Sequence, residues 1–380
     1  MKSRGVHLQY SFQTTGQVGA AVHNPLFDLL KAVHEHGSIQ RAALALNASY
    51  RHVWGQLRQW QEVLGEPVVH WTQGQPARLT PFAERLLWAE THARARLTPH
   101  IEALRAELQH VLAAALDGSQ QVLTMVASHD LALPALLNSA RDFERLHIDL
   151  RFAGSIDALR ALAEGRCTVA GFHVPPLPEG SDLFARSLKP LLKPGRHKLI
   201  GCSHRTQGLM LAPGNPLALA SLAAVVAAKA RFVQRQRGSA TWLLTQHLLA
   251  QAGLPPDALQ PQIRPQIRPE LGTVRTEDSH SAVAAAVASG LADAGIGLEA
   301  AAHAFGLAFV PLARDDYFLV CLAQALEQPA VLALRRALNH ESWRQAVTAL
   351  PGYAVAQPGQ VLSLTKALPW WHFRSKRSVK

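Results

Sequence analysis

A chain of 380 residues is too long for one ordinary core and suits two or three domains. With 48% hydrophobic and 17% charged residues it excludes a disordered polymer, and its formal charge of +11 points to an anionic partner without choosing between nucleic acid and an acidic membrane surface. Cys167, Cys202 and Cys321 lie far apart with no CxxC, which excludes a disulfide framework and suits a reducing, cytoplasmic setting. The first twenty residues lack an apolar core, so no signal peptide is expected. Stretches such as Leu217–Ala228 are too short to span a bilayer, so no membrane partner is expected either.

Residues 1–20 read as a disordered tail, and 21–81 as the first domain. Leu26, Leu29, Leu30 and Val33 recur at helical spacing, and Gly37 stops that helix. Ser38 caps a second helix with Ile39, Ala42, Ala43 and Leu46 inward; the small alanines allow a close helix crossing. After the turn Asn47-Ala48-Ser49, a third helix places Val53, Leu57, Trp60 and Leu64 inward. This is the helix-turn-helix pattern. The outward face of the third helix carries Arg51, His52, Gln56, Arg58 and Gln59, donors and acceptors suited to base edges and phosphates, while Ser49 and Tyr50 stand at its start. A polar helix face is more often merely solvated. The next stretch changes the odds: Pro67–Trp71, the turn Gln73-Gly74-Gln75 and Ala77–Leu79 read as a hairpin, and Thr80-Pro81 opens a new helix.

The run GSIQRAALALNASYRHVWGQLRQWQEVLGEPVV followed by ARLTPFAERLL resembles the winged helix-turn-helix shared by ModE and LysR-type regulators. The cluster Ser49-Tyr50-Arg51 with Trp54 is closer to the ModE type, and Leu79-Thr80-Pro81 is common to both. The resemblance implies double-stranded DNA as partner, base-facing roles near Tyr50, Arg51 and His52, and Arg78 near a phosphate on the wing.

Leu97, Ile101, Leu104, Leu108, Val111 and Ala115 form a seam over a linker helix at 82–118, suited to a homodimer or dimer of dimers. Thr98-Pro99 predicts a kink or fresh start there, and Asp117-Gly118-Ser119 a hinge.

From 119 to 360 strands and helices alternate. Val122–Ala127, Ile148–Phe152 and Thr168–Phe172 read as parallel strands, followed by polar turns at Ser128-His129-Asp130 and Gly154-Ser155. Later, Arg231–Gln234 leads into Arg235-Gln236-Arg237-Gly238-Ser239-Ala240-Thr241, and Thr276–Ser279 into His280-Ser281. Crossings near Arg205–Pro213 and Gly306–Tyr317 suggest two lobes joined by paired strands. The fold class is therefore α/β: an N-terminal winged helix-turn-helix, a linker helix and a bilobed C-terminal domain.

The stretches HRTQGLMLAPGNP, RFVQRQRGSATWLL, DSHSAVAAAVASGLADAGIGLEAAA and FVPLARDDYFLV resemble the type II periplasmic-binding-protein fold, in particular PBP-like domains joined to molybdenum-related proteins. The resemblance implies a small anionic effector and no covalent cofactor, with candidates in the order molybdate or tungstate, a molybdenum-cofactor-like compound, and a small carboxylate such as formate. Ser128, Ser155, Ser239, Thr241 and Ser281 match the places of oxyanion-holding hydroxyls. His129, Asp130, Arg235, Arg237, Asp278 and His280 add charge beyond that pattern, and Gly238 lets the backbone approach a ligand. An N-cap is the commoner job of such hydroxyls.

Other motifs carry little. Gly295 to Ala300 fits GxGxxA without a ribose-binding acid, Ser363 to Lys366 fits SxxK without its partner motifs, and His34-Glu35-His36 lacks metal spacing. HExxH, P-loop and GxSxG patterns are missing, so no enzyme and no metal site is expected. The loop from Pro261 to Pro269 repeats Pro-Gln-Ile-Arg, and 361–380 reads as a basic tail. Together these features imply a cytoplasmic, effector-responsive DNA-binding regulator of molybdenum-related genes. The alternatives are a transport-type binding protein with a vestigial N-terminal domain, or an enzyme on the same bilobed fold.

Overall fold

The computed structural model describes residues 24–71, 76–116, 121–176, 182–259, 276–368 and 370–371; beyond His100 in the linker helix, side chains are described only at Ile101, Leu104 and Leu108. The tails at 1–20 and 372–380, the hairpin tip, the Asp117-Gly118-Ser119 hinge and the proline repeat lie outside these residues. The chain forms two compact units divided between Leu79 and Thr80.

In the first unit Asn24 caps α1 (Pro25–His36) by accepting from the Leu26 N–H at 3.1 Å, and Gly37 ends it at φ 58. Ser38 caps α2 (Ile39–Ala45), and Ser49 caps α3 (Tyr50–Leu64). Leu29, Leu30, Val33, Ile39, Ala42, Ala43, Val53 and Leu57 form the buried centre of the three helices. Trp60 and Leu64, expected inward, are only half-buried. The wing is the antiparallel pair β1 (Val69–His70) and β2 (Arg78–Leu79), with Val69 opposite Leu79.

The second unit opens with α4 (Pro81–Leu116), which runs through Pro99 without ending. Of the expected kink or fresh start, the fresh start is not seen: the helix is continuous across Thr98-Pro99. Pro99 has no N–H to give the Ala95 carbonyl, and that carbonyl instead accepts from the Ser279 hydroxyl at 3.4 Å. Then follow β3 (Gln121–Ala127), α5 (Leu133–Glu144), β4 (Leu146–Phe152), α6 (Ser155–Ala163), β5 (Val169–Val174), α7 (Asp182–Leu188) and β6 (His197–Leu211). The second half holds α8 (Leu222–Ala227), β7 (Phe232–Arg235), α9 (Ala240–Gln251), β8 (Thr276–Glu277), α10 (His280–Ala288), β9 (Ala294–Leu298) and α11 (Glu299–Ala304). The chain returns through β10 (Ala308–Leu322), α12 (Pro329–Asn339), α13 (Glu341–Thr348), β11 (Tyr353–Val355), β12 (Val361–Leu362) and α14 (Leu364–Ala367).

The sheet order is β4-β3-β5-β10-β6-β9-β7-β8. At one end β3 lies parallel to β4 and β5; at the other β7 lies parallel to β8 and β9. Between them run the two 15-residue antiparallel strands β6 and β10, the expected crossings, which pass from one half to the other. Their length is what places both sets of parallel strand ends around a common space. Residues 361–368 depart from the expected tail: β12 pairs with β6, and Leu364 and Leu368 are buried.

Candidate functional site

Where the two halves of the sheet meet there is a cavity of about 190 Å³. Ser128, His129 and Ser155 reach it from the β3 and β4 side, and Arg235, Ser239, Thr241 and His280 from the β7 and β8 side. Those seven sequence-predicted residues are thus brought together. Four others are not among its lining. Asp130 is fully buried beneath it, Arg237 is exposed to solvent, and Ser281 lies inside the first turn of α10, whose cap is Ser279. Gly238, at φ 89, sets the loop instead: its carbonyl lies so near Gly154 that a Cβ there would sit 3.0 Å away.

Most of the hydroxyls are already committed. Ser239 accepts from the Trp242 N–H at 3.1 Å as the N-cap of α9 and donates to the Gln236 carbonyl at 2.9 Å. Ser155 accepts from the His173 N–H, and Ser128 Oγ lies 2.7 Å from His173 Nδ1. Thr241 makes no side-chain hydrogen bond to any described residue. The unused donors are nitrogens. Arg235 Nε donates to the Glu277 carbonyl (3.1 Å) and Nη2 to the Asp278 carbonyl (2.7 Å), while buried Nη1 has no partner among the described residues. His129 Nδ1 and His280 Nδ1 are likewise buried without partners.

Under the cavity lies an ion network that sequence reading passed over except for Asp130. Arg205, in β6, is 1% exposed; its Nε and Nη2 donate to Asp315 of β10 at 2.7 and 3.1 Å, and Nη1 to Asp130 at 3.0 Å. Gln207 also donates to Asp315. Asp130 accepts further from Tyr353 (3.0 Å), from the Ala132 N–H (2.8 Å) and from His173 (3.2 Å). Burial works against the charge on Asp130, but the His173 hydrogen bond and Arg205 outweigh it and hold the carboxyl well below its ordinary range. For Arg205 burial is likewise overridden by Asp315 and Asp130, which raise it.

Burial, then Arg235, lowers His129 to about 4; burial, then Arg205, lowers His173 to about 4; burial and Arg235 push His280 well down. Burial and Arg205 bring Arg235 down to about 10, so it stays charged at neutral pH. Ser128, His173 and Asp130 form a hydroxyl–imidazole–carboxylate chain. An imidazole titrating near 4 is a weak base at neutral pH, so the chain orients the hydroxyl rather than activating it. The imidazoles also set an acid limit. Unfolded, each returns to about 6.5, so the unfolded chain binds protons that the folded chain refuses, and stability falls as pH drops from 6.5 to about 4. For His173 alone that gap corresponds to on the order of 3 kcal/mol. Denaturant midpoints measured across that range should decline steadily, with a further loss below it as Asp130 protonates; a flat profile would contradict neutral buried imidazoles.

On the first unit, Tyr50, Arg51, His52, Arg58 and Gln59 are exposed on α3 as expected, Gln56 is half-buried, and Arg78 is exposed on the wing. Ser38 and Ser49 accept from the Arg41 and His52 N–H groups, so both oxygens serve as caps. Sequence reading had noted Trp54 without seeing its neighbours. Tyr50 stacks on Trp54 at 6.5 Å, and Trp54 meets Trp71 edge-on at 5.6 Å, tying the third helix to the wing. The signal was the i, i+4 aromatic pair.

A PBP superfamily domain matches residues 137–339, and the bacterial regulatory helix-turn-helix of the lysR family matches residues 26–84. The chain is 27% identical over 246 residues to uncharacterized protein YvgK of Bacillus subtilis strain 168, covering 65% of this chain and 75% of that protein. Among solved structures, full-length BenM is similar at 14% identity, with 85% and 96% of the two chains covered and a TM-score of 0.42. Full-length CbnR complexed with its target DNA is similar at 17% identity, 84% and 98% coverage, and a TM-score of 0.38. At those scores the structural likenesses say nothing about the cavity or its occupant.

Proposed function

The chain belongs to the PBP superfamily and carries a lysR-family helix-turn-helix, and from that premise we propose a transcription regulator whose effector is a small anion seated on Arg235. The observation that carries this reading is the Arg235 guanidinium: 8% exposed, charged, and with one nitrogen unpaired at the edge of a 190 Å³ cavity. A buried cation with a spare donor is costly unless something fills the place. The neutral imidazoles of His129 and His280 add polar nitrogens, each a donor or an acceptor according to its tautomer, without adding charge.

Within the anions, a small carboxylate such as formate suits the donors better than molybdate or tungstate. The resemblance would have a tetrahedral oxyanion held by serine hydroxyls, and Ser128, Ser155 and Ser239 are engaged within the chain. The small volume also favours a few-atom ligand over a molybdenum-cofactor-like compound. Control of molybdenum-related genes therefore rests on the sequence resemblance alone. Double-stranded DNA is the macromolecular partner, and a homodimer or dimer of dimers places two third helices on successive half-sites. Leu97 and Leu104, 38% and 51% exposed on α4, support self-association along that helix.

The test is calorimetry of the full-length protein with formate, acetate, molybdate and tungstate. Arg235→Met is expected to weaken the binding anion by about tenfold to a hundredfold, the worth of a hydrogen bond to a charged group. Arg237→Ala, at the exposed arginine expected from the sequence among the ligand residues, is expected to leave it unchanged. Wild-type affinity in Arg235→Met would overturn the assignment.

A further inference from the structure

The cavity is not closed by the PBP-like domain alone. Pro99 and His100 of α4 form part of its wall. Glu277, the last residue of β8, and Asp278, which follows it, face two ways. Their backbone carbonyls hold Arg235, and their carboxylates hold α4. The buried Glu277 carboxylate lies 3.0 Å from His92 Nε2 and 3.4 Å from Arg96 Nε, and that of Asp278 lies 3.4 Å from His100 Nε2. The hydroxyl of the next residue, Ser279, reaches the Ala95 carbonyl that Pro99 leaves free. Four residues of α4, His92, Ala95, Arg96 and His100, are thus fastened to the same short segment that positions Arg235.

We propose that Glu277 and Asp278 are positioning residues through which an anion on Arg235 is read by the linker helix. This rests on Arg235 being the seat of the anion. An anion that draws the guanidinium into the cavity competes with the two carbonyls, shifts the turn, and loosens or tightens α4 through the carboxylates. No rearrangement of the whole sheet is required, because the segment is only three residues long. Burial makes the coupling stiff: Glu277 and Ser279 are 1% and 0% exposed, so neither has water as an alternative partner.

Hydrogen–deuterium exchange on the full-length protein tests this without any ligand. In Arg235→Met, which removes no hydrogen bond or ion pair to α4 among the described residues, amides of residues 90–100 are expected to exchange about tenfold faster, while those of α5 keep wild-type rates. Glu277→Gln, which keeps the carbonyl and loses the charge, is expected to do the same. The double variant is expected to exchange no faster than the faster single one, because both act through one linkage. Unchanged α4 exchange in Arg235→Met, or effects that multiply in the double variant, would overturn the coupling. If Glu277→Gln does not fold, His92→Gln breaks the same pair from the helix side and is read in the same way. Formate and molybdate calorimetry on the same preparations reads the anion seat separately: absent binding there with coupled exchange would refute the effector and leave the linkage standing.

Discussion

Replacing Asp130 by alanine is expected to destabilise the C-terminal unit by about 3–5 kcal/mol, the usual result of removing one partner of a buried ion pair. Asp130 is fully buried and accepts from Arg205, His173, Tyr353 and the Ala132 N–H. Its loss leaves the Tyr353 hydroxyl and one arm of Arg205 without their protein acceptor in the interior. Arg205 remains charged because Asp315 still holds its other side, so the site cannot escape by neutralising the guanidinium. The network also joins five separate pieces of chain: the turn after β3, the strands β5 and β11 that carry His173 and Tyr353, the crossing strand β6 and the returning strand β10. The damage should therefore appear in the whole unit's cooperative transition rather than as local fraying. Urea unfolding followed by tryptophan fluorescence checks it, with circular dichroism to establish that the variant folds at all. A loss below about 1 kcal/mol would mean that the carboxylate's own desolvation cost nearly cancels its attractions.

Removing Arg51 and Arg58 together should weaken operator binding by more than about 30-fold, taking about 1–3 kcal/mol for each specific contact. Both side chains are exposed on α3, clear of the Val53 and Leu57 stripe that packs inward, so the helix itself should survive. If either arginine meets phosphate rather than a base edge, its loss should also reduce the slope of affinity against salt. Gel shifts at several salt concentrations with the native operator separate these outcomes. Binding like wild type in the double variant would move the recognition face away from α3. Gly55 lies on the same side with open space around it, so the duplex can approach the backbone there.

The helix-turn-helix was legible because its determinants are local. Asn24, Ser38 and Ser49 as caps, Gly37 and Gly65 as left-handed stops, and apolar spacing of three and four residues act within a few residues of one another. The alternation of strand and helix was legible for the same reason, and the two crossing strands showed in the long stretches between the repeated units. Side-chain direction at the cavity was not. Arg235 and Arg237 stand two residues apart around one strand end, yet one is buried against the Glu277 and Asp278 carbonyls and the other faces solvent. Only the arrival of β8 beside β7 decides between them. Asp130 read as a ligand group because it follows Ser128 and His129, whereas its partners, Arg205 and Tyr353, lie 75 and 223 residues away. Pro99 read as a kink or fresh start because the local rule counts a lost N–H donor and cannot see the Ser279 hydroxyl, 184 residues from Ala95, that takes up the freed carbonyl. The sequence by itself determined the elements and their order, since caps, stops and periodicity are short-range. Which polar groups are spent inside the network, and which are left to meet a ligand, was decided only by the tertiary structure, because a hydrogen bond's partner is chosen by distance in space and not along the chain.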